Sequence, residues 1–86
     1  MKNVKIGKIG QLLVSKFSQI HVWDEDLDYW LDELTKGQIM LVVGEKYSGT
    51  SVRLDLNSDL YRKVLTPNKK VGWVHLDNCV LLTKNI

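Results

Sequence analysis

Tyr61-Arg62-Lys63-Val64-Leu65-Thr66-Pro67-Asn68-Lys69-Lys70-Val71-Gly72-Trp73-Val74 is the stretch on which the fold turns. Thr66 to Lys69 predicts a tight turn, because proline pre-sets φ for the first corner and asparagine tolerates the second. Extended residues precede it from Leu60, and Val71 to Val74 return as a hairpin partner. Working outward, Val80 to Thr83 predicts a closing strand. On the other side Val52, Leu54 and Leu56 alternate with Arg53 and Asp55, the pattern of a half-buried strand. Ile39 to Val43 is a continuous apolar run closed by Gly44, which predicts a strand buried on both sides. Gln11 to Phe17 and Ile20 to Trp23 are shorter extended segments. The chain contains ten valines and no alanine, which opposes a mainly helical fold. Five to seven short strands with frequent turns predict an all-β domain, a small barrel or sandwich.

One segment resists this pattern. In Asp24 to Gly37, Leu27, Trp30, Leu31 and Leu34 recur at helical spacing, with Asp24 as a potential N-cap and Gly37 as a potential C-cap. Glu33 to Ile39 also reads as a turn leading directly into a strand. The region around 24–36 is therefore expected to be an acidic loop or a short helix.

At 86 residues the chain holds one domain, with its core expected over about 10–84. So short a chain buries only ~60–65% of the surface that its unfolded form exposes, so homo-oligomerisation would help it. Lone Cys79 excludes an internal disulfide and fits a reducing, cytoplasmic compartment. No run approaches the ~20 apolar residues of a membrane span, so no membrane role is expected. The formal charge of +2 conceals three blocks: +4 over residues 1–23, −6 over 24–33 and +4 over 34–86.

The second half of the chain resembles an SH3-like barrel, in the sense that includes bacterial and phage modules. Leu34-Thr35-Lys36-Gly37-Gln38-Ile39-Met40-Leu41-Val42-Val43 looks like that family's entry into its second strand. Tyr61 to Leu65 and Val71 to Val74 look like its distal hairpin, and His75 to Asn78 falls at its short 3₁₀ turn before the last strand. The run Val64 to Asn78 is similar to small uncharacterised SH3-like proteins of tailed bacteriophages, except that Lys69 stands where glycine usually follows the corner. The resemblance implies a barrel of about five strands with the acidic segment in its first long loop. It implies phage origin more than a role, with host-cytoplasmic and virion-associated proteins both represented. The eukaryotic proline-peptide groove does not carry over: Leu13 to Phe17 lacks its aromatic signature, and the residues from His75 to Cys79 replace its proline and tyrosine.

Function is expected in the loops. Six of the ten acids fall within 24–33 beside two tryptophans, and carboxylates next to aromatic rings can hold the Arg or Lys of a partner. Trp23, Asp24, Glu25, Asp26, Asp28, Tyr29 and Trp30 are thus the candidate protein-binding residues, against a plain solvated loop. The alternative is nucleic-acid binding through Arg62, Lys63, Lys69 and Lys70, with Trp73 able to stack on a base. His75, Asp77 and Cys79 alternate, yet a core cysteine beside a surface histidine explains them better than a metal site or a Cys–His pair. No glycine-rich phosphate loop is present. The expectation is a non-enzymatic interaction or structural module without a cofactor or metal.

Overall fold

In the computed structural model, residues 6–45 and 60–82 are described. They form seven strands: β1 Leu12–Ser15, β2 Ile20–Trp23, β3 Trp30–Leu34, β4 Ile39–Gly44, β5 Tyr61–Leu65, β6 Val71–His75 and β7 Cys79–Leu81. All pair antiparallel in one sheet of order β3-β2-β6-β5-β4-β1-β7. A 3₁₀ turn, Leu76–Asn78, precedes β7. The chain is all-β, as its valine-rich, alanine-free composition requires. The expected strand 52–56 lies outside the described residues.

Side chains alternate along each strand, and the inward set forms one core. Leu13, Val22, Leu34, Met40, Val42, Val64 and Val74 are fully buried, joined by Ile20, Leu76 and Cys79. They come from all seven strands and the 3₁₀ turn, so the sheet must curl to enclose them. A second cluster sits elsewhere: Leu27 and Trp73 are buried, with Trp23 and Tyr61 packed against them. On β6, Val74 belongs to the first cluster and Trp73 to the second, the period of two expected of a strand.

At 24–36 the loop alternative holds for the first residues and the helix does not form, and one expectation, for β4, is corrected. Residues 24–36 contain no helix: Asp24 to Tyr29 is a turn and Trp30 begins β3. Helix-spaced residues in fact diverge, with Leu27 and Leu34 buried and Trp30 and Leu31 exposed. Strand β4 is not buried on both sides either. Met40 and Val42 enter the core, while Ile39 and Val43 remain 43% and 38% exposed.

The hairpin turn is as expected. Lys69 N–H donates to Thr66 O at 2.9 Å, and Thr66 N–H donates to Lys70 O at 2.8 Å. Lys69 takes the left-handed conformation at φ 66°, the position where glycine costs least. One polar residue the sequence did not signal sits in the core wall: Ser15, 2% exposed. Its hydroxyl donates to Thr35 O and accepts from Gln38 N–H, fastening the β3–β4 turn to β1.

Candidate interaction face at the acidic turn

The acidic turn is built around one carboxylate. Asp24 Oδ1 accepts from the N–H groups of Asp28 at 3.0 Å, Asp26 at 3.2 Å and Tyr29 at 3.4 Å. Asp24 N–H in turn donates to Tyr29 O at 2.8 Å and closes the loop. The Asp28 N–H leads the groups that hold the Asp24 carboxyl below its ordinary value, against a smaller opposing effect of desolvation. The turn bends inward at Leu27, which adopts φ 56° and is buried against Trp73. A left-handed leucine is strained, and burial beneath an indole is what compensates it.

That inward bend brings the two sequence-predicted sites into contact. Glu25 Oε2 accepts from Trp73 Nε1 at 3.3 Å and meets Lys63 Nζ at 3.4 Å. Lys63 Nζ also stands 5.8 Å from the centre of the Trp73 ring. Glu25, Lys63 and Trp73 therefore serve to dock the acidic turn on β5 and β6.

Other members of the acidic set face outward. Asp26 and Asp28 are exposed, and no ion pair reaches either carboxylate among the described residues. Tyr29 is 73% exposed and Trp30 51%. Trp30 stacks on His21 at 4.7 Å and 11°, and Trp23 meets the edge of His21 at 5.7 Å and 88°. The result is a ledge of three packed rings, His21, Trp23 and Trp30, on two strands joined by the turn that carries exposed Asp26 and Asp28. His21 is the member that sequence reasoning missed; its signal was its alternation with Trp23 along β2.

The basic set is dispersed. Arg62 Nε donates to Gly7 O at 3.0 Å and Nη1 to Tyr61 O at 3.0 Å, so this guanidinium is held against its own chain. Adjacent Lys63 points to the opposite face of β5 and is held by Glu25. Lys69 and Lys70 are exposed at the hairpin tip. No single surface collects these four cations.

His75, Asp77 and Cys79 do not form a reactive cluster. The 3₁₀ turn interrupts the strand between them, His75 Nδ1 accepts from Asp77 N–H at 3.1 Å, and Cys79 is buried. Burial pushes the Cys79 thiol up to about 12, against the smaller effect of Lys16. Among the described residues no group of three His, Cys, Asp or Glu side chains could hold a metal ion. No helix among them is long and apolar enough to cross a membrane. No family model, curated protein or solved structure matches the chain.

Proposed function

We propose that the chain is a non-enzymatic SH3-like interaction module that binds a cationic segment of a protein partner on the ledge at residues 21–30. Three features support the SH3-like reading. Strands β7, β1, β4, β5 and β6 are consecutive neighbours in the sheet, the β2–β3 hairpin fills the long first loop, and a 3₁₀ turn precedes the last strand. The observation that carries the binding reading is the exposure of Tyr29 and Trp30 next in sequence to exposed Asp26 and Asp28, which make no ion pair among the described residues. An Arg or Lys laid over the Trp30 ring would gain cation–π attraction while its charge meets the carboxylates. Because His21 and the Asp24-centred turn already fix the ring and the loop, binding orders little that is mobile.

Titration with Arg-containing hexapeptides, read by tryptophan fluorescence, tests this reading. Asp26→Lys combined with Asp28→Lys is expected to weaken binding about tenfold or more, at unchanged circular dichroism. Tighter binding of single-stranded oligonucleotides, lost in Lys69→Glu with Lys70→Glu and falling steeply with salt, would favour the nucleic-acid alternative instead.

A further inference from the structure

The outer surface of the sheet away from the ledge carries an unbroken aliphatic row. Strand register sets Leu12, Leu41, Leu65 and Val71 side by side across β1, β4, β5 and β6. Leu82 extends the row beyond β7, its N–H donating to Leu12 O at 2.9 Å. A second row, Val80, Val14 and Ile39, runs beside it across β7, β1 and β4. A groove of about 420 Å³ opens here, bounded by Leu12, Ile39 and Leu41 on the strands and by Leu65 and Pro67. None of these outward positions is charged, whereas farther along β5 and β6 the same face presents Lys63, Trp73 and His75.

Leu12, Ile39, Val43, Val71, Val80 and Leu82 each keep 38% to 46% of their surface exposed. Together that is on the order of 450 Å² of apolar area, the size of the largest patch on a typical small protein, which is often functional. We propose that this face is the interface of a symmetric homodimer, covered by a second copy of the same chain. A surface without charge has nothing with which to select a charged partner, but it is complementary to itself across a two-fold axis. Two copies contribute roughly 900 Å² from those six residues alone. The groove walls bring the total past the ~1,000 Å² that a stable interface needs. The same contact would bury the second side of β4, whose sequence is apolar on both faces, and would enlarge a core limited by chain length.

Sedimentation equilibrium from about 1 µM to 1 mM tests the proposal. The expected species is twice the 9.9 kDa chain mass. Ile39→Glu and Val80→Glu should each raise the dimer dissociation constant at least tenfold, while Leu31→Glu, outside this face, leaves it unchanged. Dilution of the native protein, followed by amide NMR shifts, gives a readout that no substitution can unfold. Shifts concentrated at Leu12, Val14, Ile39 and Val80 are expected. A monomer throughout the range, or dilution shifts centred on residues 23–30, would overturn the proposal.

Discussion

At the scale of single residues, two side chains hold the fold in places where local preference and global need disagree. Lys69 occupies a left-handed position that costs a non-glycine residue about 1 kcal/mol. Lys69→Gly is expected to stabilise the protein by about 0.5–1 kcal/mol, net of the greater freedom glycine gives the unfolded chain. Thermal melting should rise by about 3–6 °C; no change would mean that the lysine side chain makes a compensating contact. Asp32 is the second case. Burial alone would raise its pKa, but Thr66 Oγ1–H at 2.6 Å, Asn68 Nδ2, the Glu33 N–H and the charge of Lys70 outweigh it and hold the carboxyl below 3.8. A carboxyl with a depressed native pKa stabilises the fold fully above its unfolded value, and that contribution disappears as pH falls through the native one. The melting temperature should therefore drop as pH falls below about 4. Asp32→Asn should cost about 1 kcal/mol at neutral pH and flatten that acid limb. An acid limb of native steepness in Asp32→Asn would assign the transition to other carboxylates.

At the scale of elements, the β2–β3 hairpin shows what can and cannot be read from the chain. The β5–β6 hairpin is legible because Thr-Pro-Asn dictates its corner locally. The β2–β3 hairpin is not, because Asp24 to Gly37 satisfies a helical period by coincidence. Leu27 packs against Trp73, Leu34 enters the main core and Trp30 stacks on His21, so three residues at helical spacing serve three separate environments. The contacts that decide between helix and strand are long-range: Glu25 to Trp73, and Asp32 to Thr66 and Asn68. No local pattern encodes them. Backbone pairing between β2 and β6 is limited to Trp23 opposite Trp73, so close approach matters there. Gly72 permits it: a Cβ at that position would stand 2.6 Å from Trp23 O and 2.8 Å from Val22 Cγ1. Gly72→Ala should destabilise by about 2 kcal/mol or more by prising the hairpin from β6. Hydrogen exchange at residues 20–34 should accelerate more than at β1, β4 and β7. Uniform acceleration across all strands would contradict a hairpin that separates from the rest of the sheet as a unit.

At the scale of the whole molecule, the fold divides its outer surface by chemistry. One region is aliphatic across β7, β1 and β4, while another, toward β2 and β3, carries aromatic rings, two outward carboxylates and the Glu25–Lys63–Trp73 clasp. The three charge blocks of the sequence acquire a geometry here. Glu25 of the acidic block is engaged internally with Lys63, and Asp26 and Asp28 are left exposed. The candidate site was legible in composition, because acids and tryptophans crowd together between 23 and 33. The division of labour within it was not, since Glu25 and Asp26 are indistinguishable until Leu27 turns inward. The most direct test is an amide NMR titration of the native protein with an Arg-containing hexapeptide. The account predicts shifts at His21, Asp26, Asp28, Tyr29 and the Trp30 indole N–H, with Lys69 and Lys70 unmoved. Shifts confined to the 66–70 turn, or none at any peptide concentration reached, would contradict it.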